Sequence, residues 1–356
     1  MKVGILSMKG NFDNRLGQGT QRYIYELWKN MREMRNDDVH VDKLEFGFGK
    51  SNLAHKVSFT LSLPFKYLGE YDIIHVLNGI PFAPPLRKSR AKIVTTINEL
   101  VVLDKGNPFR KALERSAPTL KDKISDVVAG MIRKQQLSSD YIIAISDKTL
   151  KEAVKLGYSK DRIFVVNLGI DERFLAPLKK RKKNRKFKVG FLGGFNVRKN
   201  AIFAVNAFKM INDRDIVFEL WGRKSGEYQN IEKAAGSDER IKFMGFAPEE
   251  RLLDIYESFD AFVYPTLYGG LELELLEAQA RGVPVIMYKP GKVTKEAKYY
   301  LAAEDEKDMA RIIKDLKDNG FDDSTRKKAM AYARSFTWKK TTDRTLEVYR
   351  KIAKMG

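Results

Sequence analysis

The feature that most constrains the fold is a pattern that occurs twice along the chain. Each time, a short apolar strand enters a glycine-bearing loop, and an amphipathic helix follows. The first copy begins with "KVGIL" at Lys2–Leu6 and the second with "KVGFLGGF" at Lys188–Phe195. Further strand-like and helix-like segments alternate after each copy, an order that builds a parallel sheet covered by helices. The sequence therefore predicts an α/β protein with two Rossmann-like, doubly wound domains.

A charged run separates the two copies and suggests where the domains meet. "PLKKRKKNRKFK" at residues 177–188 has no hydrophobic period, and a run of like charges repels itself and stays solvated, so we interpret it as a linker. We expect a first domain at 1–176, a second at 189–337, and a C-terminal helix at 338–356. Ligands of doubly wound sheets bind at the carboxyl ends of the strands, so we expect both sheets to face a shared cleft. The alternative is two independent domains with unrelated roles.

Composition excludes several classes of protein. The chain has 356 residues, no cysteine and only three histidines, at no ligand spacing, so disulfides are excluded and a zinc site is not expected. No apolar run has the length of a membrane span, and the N-terminal residues resemble a core strand rather than a signal peptide, so we expect a cytoplasmic protein. The net charge of +20 favours anionic partners, although a solvated, charge-rich surface explains it equally well.

Two loops have features of phosphate-binding loops. "GQGT" at Gly17–Thr20 precedes the first helix, where glycines allow close approach and the helix start offers free N–H groups. In the second copy, Gly193 is followed by Arg198 and Lys199 at the mouth of the next helix. Cations there oppose the helix dipole, which favours an anionic ligand between them. Neither loop has the dinucleotide fingerprint or the Walker A pattern.

The stretch "YGGLELELLEAQARGVPVI" places a glycine turn, acidic residues and an apolar helix in succession. Gly270 and Leu271 can present backbone N–H groups at the end of a strand. Glu277 lies one turn inside the helix on a mostly apolar side, and a carboxylate there needs hydrogen-bond donors. Sugar or ribose hydroxyls would serve, as would a structural partner such as Arg281. Gly282 then ends the helix in a left-handed turn.

At these motifs the chain resembles a family 4 glycosyltransferase of the two-domain GT-B fold. "PTLYGGLELELLEAQARGVPV" is similar, without a gap, to the family pattern P-S-x-x-E-G-F-G-x-x-x-x-E-A-x-A-x-G-x-P-V. "RIKFMGFAPEERLLDIYESFDAFVYPT" resembles the strand–helix–strand that precedes it. "SFTWKKTTDRTLEVYRKI" resembles the C-terminal helix, which in this fold crosses back onto the first domain. The resemblance covers nearly the whole chain.

The resemblance implies roles for residues that match the family's motifs. Gly19 matches the glycine of the first-domain loop that faces the donor diphosphate, and Lys199 matches the lysine that binds it. Gly245 and Phe246 match positions near the nucleotide base. Glu277 matches the second acid of the E-x7-E pair, which holds the ribose.

The chain departs from the family at three positions. Gly269 stands where the first acid of the pair belongs, and Glu272 follows three residues later. Gly194 stands where the family has an arginine, for which Arg198 is a spatial substitute. Asn98 replaces a histidine, so it can hydrogen-bond a sugar hydroxyl but cannot shuttle a proton. We take Lys199, Arg198, Glu272 and Asn98 as the catalytic candidates.

The implied reaction moves a sugar from a nucleotide-sugar, such as a UDP- or GDP-sugar, to an acceptor hydroxyl with retention. We expect no metal and no other cofactor, because the fold that the resemblance implies usually works without a metal and cations at the helix start can stabilise the leaving diphosphate. The acceptor is a glycan, lipid or protein. We keep two alternatives: a catalytically degenerate nucleotide-sugar binder, suggested by Gly269 and Asn98, and a nucleic-acid-binding protein, suggested by the net charge and the basic run at 177–188.

A basic region at Asp104–Gln136 adds helices to the first domain. A basic amphipathic surface could dock peripherally on an anionic inner membrane, and an ordinary solvated helix pair has the same pattern. The sequence leaves both interpretations open.

Overall fold

The structure is a computed structural model that describes residues 1–8, 12, 19–34, 38–46, 68–77, 90–98, 130, 136–178, 186–224, 226–270, 272–291 and 294–355. The chain divides into two compact units. The first unit comprises Met1–Val102, Ala117–Gly169 and Trp338–Gly356, and the second comprises Leu103–Ser116 and Ile170–Thr337.

The described residues form strands and helices that alternate along most of the chain. The strands are β1 (Lys2–Met8), β2 (His40–Phe46), β3 (Ile73–Val76), β4 (Lys92–Ile97), β5 (Tyr141–Ala144), β6 (Ile163–Val165), β7 (Phe187–Leu192), β8 (Ile216–Trp221), β9 (Ile241–Gly245), β10 (Ala261–Tyr264), β11 (Val285–Tyr288) and β12 (Leu301–Ala303). The helices are α1 (Gly19–Glu33), α2 (Asp147–Lys155), α3 (Ala201–Lys209), α4 (Tyr228–Ala235), α5 (Leu252–Ser258), α6 (Leu273–Ala280), α7 (Glu306–Asn319), α8 (Asp323–Arg334) and α9 (Trp338–Lys354).

The first unit contains a six-stranded sheet in the order β2-β1-β3-β4-β5-β6, and every pairing in it is parallel. Every residue of β3 and of β5 is buried, as expected for strands that are covered by helices on both faces. The continuous apolar runs in the sequence come from this double burial.

The last helix of the chain belongs to the first unit. The ring of Trp338, at the start of α9, lies 6.0 Å from the ring of Tyr23 on α1. Further along α9, the hydroxyl of Tyr349 shares a hydrogen bond of 2.6 Å with Nδ1 of the fully buried His75 on β3. Nε2 of His75 is hydrogen-bonded to Thr96 on β4 at 2.7 Å. This buried polar chain fixes α9 against the sheet.

The second unit contains a six-stranded sheet in the order β12-β11-β10-β7-β8-β9, again parallel throughout. Its core is rich in aromatic rings; Phe208 of α3 stacks on Phe218 of β8 with 5.3 Å between the ring centroids. The two sheets confirm the prediction of an α/β protein with two doubly wound, Rossmann-like halves.

The second unit begins before the predicted linker. The backbone N–H of Ile170 donates to the carbonyl of Phe336 at 3.0 Å, within this unit. The side chain of Arg281 is fully buried, and its guanidinium donates to the carbonyls of Phe174 and Ala176 at 3.1 and 2.6 Å. These bonds hold 170–176 against the second unit, and a pattern of hydrophobic residues does not reveal them. At the other end of 177–188, Phe187 and Lys188 already lie in β7.

The strand order of the second sheet identifies where a ligand belongs. The chain enters at β7, adds β8 and β9 on one side, and then returns to add β10, β11 and β12 on the other. The order therefore reverses between β7 and β10, which is the topological switch point of this sheet. In open α/β sheets, ligands bind outside the carboxyl ends of the strands at such a point.

Candidate functional site

The candidate site lies where β7 and β10 end side by side in the second unit. The loop after β7 contains Gly193, Arg198 and Lys199, and the loop after β10 leads through Gly269 and Gly270 into α6. The backbone N–H of Leu267 donates to the carbonyl of Arg198 at 2.9 Å, which ties the two loops together.

The loop after β7 is shaped so that Lys199 points back toward the sheet. Asn196 Oδ1 accepts a hydrogen bond of 3.0 Å from the backbone N–H of Lys199. Asn200 has a left-handed backbone with φ of 52° and precedes α3. Gly193 lies beside the lysine stem, because a Cβ built on it would be 3.5 Å from Lys199 Cδ.

The ammonium group of Lys199 is buried and surrounded by acceptors, with 4% of the residue exposed. Its Nζ donates to Glu272 Oε2, to Glu274 Oε1 at 3.0 Å and to the hydroxyl of Tyr264 at 3.4 Å. It also lies 4.9 Å from the centre of the Tyr264 ring. The two acids come from the start of α6 and the tyrosine from the end of β10.

Arg198 contacts the same acid from the other side. Its Nη1 donates to Glu272 Oε1 and to the carbonyl of Tyr268 at 3.1 Å. Each oxygen of the Glu272 carboxylate therefore meets a different cation. The result is a compact cluster of two cations and two carboxylates, formed by Arg198, Lys199, Glu272 and Glu274, which we call the switch-point cluster.

Burial and charge act in opposite directions on the acid at the centre of this cluster. Burial by itself would raise the pKa of Glu272, but the Lys199 and Arg198 charges and their hydrogen bonds outweigh it and hold the pKa well below its usual value. Burial, followed by the charges of Glu272 and Glu274, raises the pKa of the Tyr264 hydroxyl well above its usual value. The carboxylate is therefore ionised and the phenol neutral at any physiological pH.

The carboxylate of Glu272 lies where a side chain at position 269 would be. A Cβ built on Gly269 would overlap Glu272 Oε1 and would lie 3.3 Å from Arg198 Nη1. The carboxylate of Glu272 thus occupies the room directly beside Gly269, which is where the family pattern has its first acid. The structure brings Glu272 and the two cations together, although they are more than 70 residues apart in the chain.

Glu277 is more enclosed than a ribose contact would suggest. It lies on α6, where almost every residue is buried, and only 2% of it is exposed. Arg281, which the sequence offered as a partner, donates to the carboxylate of Glu257 and to main-chain carbonyls of residues 174–177. The carboxylate of Glu277 is therefore nearly closed to solvent in the described state.

An exposed aromatic ring lies at the carboxyl end of β9, two strands away from β7 in the same sheet. β9 ends at Gly245, which has φ of 76°, and 45% of the following Phe246 is exposed. The guanidinium of Arg223, in the loop after β8, lies 4.3 Å from the centre of the Phe246 ring. Arg223 is not among the residues predicted from the sequence, although its position directly after a strand and Gly222 was a usable signal.

The remaining predicted residues lie in the first unit or outside the described residues. Gly19 is the first residue of α1 and is exposed, with nothing within 4 Å of a Cβ built on it. Asn98 follows β4 and is half-buried. Leu271 and most of the basic region at 104–136 lie outside the described residues.

Within the described parts of the chain, no group of three or more histidine, aspartate or glutamate side chains could hold a metal ion. Among the described helices, none is long and apolar enough to cross a membrane.

Known proteins show clear similarity to both halves. A family model described as Glycosyltransferase Family 4 matches residues 17–174, and one described as Glycosyl transferases group 1 matches residues 186–319. O-antigen chain mannosyltransferase B from Escherichia coli is 24% identical over 233 residues, which are 60% of this chain and 61% of that protein. Across three such curated relatives, the aligned part spans 36% to 61% of their lengths.

Solved structures share the fold over the whole chain. Sucrose-phosphate synthase from Thermosynechococcus elongatus superimposes with a TM-score of 0.77 and 19% identity, over 100% of both chains. HepE from Anabaena, in complex with UDP-glucose, superimposes with a TM-score of 0.70 and 14% identity, over 99% of this chain and 100% of HepE. These structures show the shared fold, and because the two family models together match most of the chain, the chain belongs to the family 4 glycosyltransferases, as its motifs predicted.

Proposed function

We propose that this protein transfers a sugar from a nucleotide-sugar to an acceptor hydroxyl, with retention at the anomeric carbon. The observation that carries the proposal is the switch-point cluster. Its two cations, Arg198 and Lys199, lie beside the start of α3 at the point where a doubly wound sheet binds its ligand.

The diphosphate of the donor is assigned to Arg198 and Lys199. When the bond between the anomeric carbon and the phosphate oxygen breaks, negative charge develops on the leaving nucleoside diphosphate. Cations held in a largely buried site stabilise such charge more strongly than they would in water. The N–H groups at the start of α3 add a partial positive charge on the same side.

The sugar of the donor is assigned to the Glu272 side of the cluster. Gly269 has no side chain to offer, and the carboxylate of Glu272 occupies the space beside it. A carboxylate there can accept hydrogen bonds from sugar hydroxyls, in the manner that the family pattern assigns to the missing acid. Asn98, in the first unit, stays a candidate for a further sugar hydroxyl.

The nucleoside is assigned to the loops after β8 and β9. The exposed ring of Phe246, with Arg223 against it, provides a flat surface on which a base can stack. Gly245 permits close approach of the backbone. Glu277 would hold the ribose once the groups that bury it have shifted.

The reaction is balanced without a further reactant. The bond from the anomeric carbon to the phosphate oxygen breaks, a bond to the acceptor oxygen forms on the same face, and the acceptor proton passes to the departing phosphate. We expect no requirement for a metal ion, because Arg198 and Lys199 would supply the positive charge. Chelation with EDTA should therefore leave the rate unchanged.

The comparisons support a choice of donors for the assay. HepE carries UDP-glucose, and the Escherichia coli relative is described as a mannosyltransferase of an O-antigen chain. We therefore assign this protein a UDP- or GDP-hexose as donor and a glycan as acceptor.

The test is turnover of sugar-labelled UDP- and GDP-hexoses, with and without oligosaccharide acceptors. We expect the wild-type protein to release or transfer the sugar, and Lys199→Met to do so at least about 100-fold more slowly. The matched control is Lys317→Met, which removes a cation paired with Asp213 before β8, at the opposite edge of the sheet. Absence of turnover with every donor, or equal rates for Lys199→Met and wild type, would contradict the proposal.

One observation favours a second candidate, a nucleotide-sugar binder that has lost catalysis. Gly269 stands where the family has its first acid, and the replacement by Glu272 is already engaged with both cations. Tight binding of a nucleotide-sugar without turnover under any acceptor would support this alternative.

A further inference from the structure

The switch-point cluster has no net charge in the described state. Arg198 and Lys199 contribute two positive charges, and Glu272 and Glu274 contribute two negative charges. An anionic diphosphate that enters this cluster therefore meets cations that are already neutralised. To bind Lys199, it must take the place of one of the acceptors that already surround this ammonium group.

A phosphate must compete with the present acceptors for the N–H donors of Lys199. An ammonium group has three N–H donors, and Lys199 has three acceptors around it: Glu272, Glu274 and the Tyr264 hydroxyl. A phosphate oxygen must therefore displace one of them. Tyr264 belongs to a strand and Glu274 to the first turn of α6, whereas Glu272 lies before the helix and so can move most easily.

A displaced Glu272 needs new hydrogen-bond donors. Only 15% of its side chain is exposed, and an ionised carboxylate that is buried without partners is costly. A bare nucleoside diphosphate ends in phosphate oxygens, which only accept at neutral pH, and its ribose and base donors lie on the other side of the diphosphate. A nucleotide-sugar brings hydroxyl groups to the same place, next to the diphosphate.

We infer that Glu272 makes the site selective for nucleotide-sugars over bare nucleoside diphosphates, because only the sugar compensates the carboxylate that the diphosphate displaces from Lys199 and Arg198. This inference rests on the proposed function. Its consequence is that the nucleoside diphosphate left after transfer is expelled as Glu272 returns to the two cations. This arrangement also needs Gly269, because any side chain there would push Glu272 away from Arg198.

Titration calorimetry with UDP, UDP-glucose, GDP and GDP-mannose tests the inference. For the nucleotide that the wild-type protein binds, Glu272→Gln should bind the bare diphosphate at least tenfold more tightly and the nucleotide-sugar at most threefold more tightly. Gly269→Ala keeps the charge of Glu272 but displaces it, so it should act in the same direction with a smaller effect.

The matched control is Asp213→Asn. Asp213 also lies between two cations, Lys314 and Lys317, at the opposite edge of the same sheet. The Asp213→Asn variant should have dissociation constants for all four nucleotides within twofold of those of the wild-type protein.

The outcomes distinguish failure of the inference from failure of the proposed function. If Glu272→Gln is folded, as judged by its melting curve, and binds the bare diphosphate no more tightly than wild type, the inference is wrong and the proposed function stands. If Glu272→Gln does not fold, the result for Gly269→Ala decides by the same criterion. If the wild-type protein binds none of the four nucleotides, the inference and the proposed donor class both fail.

Discussion

The Nζ of Lys199 lies 3.0 Å from Oε1 of Glu274, and this ion pair joins the loop after β7 to the first turn of α6. Together with Glu272 it makes Lys199 a link between two loops as well as a cation for a ligand. The same lysine therefore affects both the stability of the protein and its proposed chemistry, and the two effects can be separated.

The first prediction concerns stability. Lys199→Met leaves the carboxylates of Glu272 and Glu274 with one cation fewer in a largely buried site, which should lower the free energy of unfolding by about 3 kcal/mol. Adding Glu274→Gln to Lys199→Met should restore more than half of that loss, because Arg198 and Glu272 then remain as a neutral ion pair. Urea denaturation of the three proteins measures both values. A double variant that is no more stable than Lys199→Met would show that charge is not the cause.

The second prediction concerns the exposed ring. If a base stacks on Phe246, Phe246→Ala should weaken nucleotide binding by about 1–3 kcal/mol, the typical value for stacking of a base on an aromatic side chain. Met244→Ala is the matched control, since Met244 is an exposed apolar residue of β9, two positions before Phe246. Calorimetry with UDP or GDP gives both numbers, and equal losses for the two variants would remove Phe246 from the base site.

The third prediction concerns the C-terminal helix. Tyr349→Phe removes the hydroxyl that bonds to Nδ1 of the buried His75, which should cost about 1–3 kcal/mol of stability because a buried polar atom loses its partner. Tyr299→Phe serves as the control, since 39% of Tyr299 is exposed. A loss below about 0.5 kcal/mol for Tyr349→Phe, measured in urea, would contradict a role of this bond in holding α9.

The fourth prediction concerns pH. Burial lowers the pKa of His75 to about 3, so the folded protein keeps this imidazole neutral while the unfolded chain protonates it at its usual pKa of about 6.5. Between these values the unfolded state binds more protons, and stability must fall as the pH falls. At pH 5 this single group should reduce stability by about 2 kcal/mol relative to pH 7.

The measurement for this group is a comparison of two pH profiles. His75→Gln lacks the titrating ring, so its stability should fall less steeply between pH 7 and pH 5 than that of the wild-type protein. Carboxylates titrate alike in both proteins and cancel in the difference. Parallel profiles would mean that His75 is already protonated in the folded state or accessible to water.

Periodicity and loop composition were sufficient to predict much of the fold and part of the site. The two doubly wound sheets follow from apolar runs that alternate with amphipathic segments. Gly193, Arg198 and Lys199 could be placed because they directly follow a strand, and the carboxyl ends of parallel strands share an edge. These are local signals, carried by residues that are close in the chain.

The parts that escaped prediction depend on which strands are neighbours. Tyr264 and Glu274 meet Lys199 only because β10 returns to lie beside β7, and no local pattern specifies that order. The bond between His75 and Tyr349 joins residues that are 274 positions apart. The burial of Glu277 had a usable signal, since Leu276 and Ala278 flank it in a helix of largely apolar composition.

The most direct test of the account is a crystal structure with the nucleoside diphosphate, UDP or GDP, that raises the melting temperature of the protein. The account predicts phosphate oxygens within hydrogen-bond distance of Lys199 Nζ and of the Arg198 guanidinium, with Glu272 withdrawn from both. A nucleotide bound elsewhere while Glu272 still bridges Lys199 and Arg198 would contradict it.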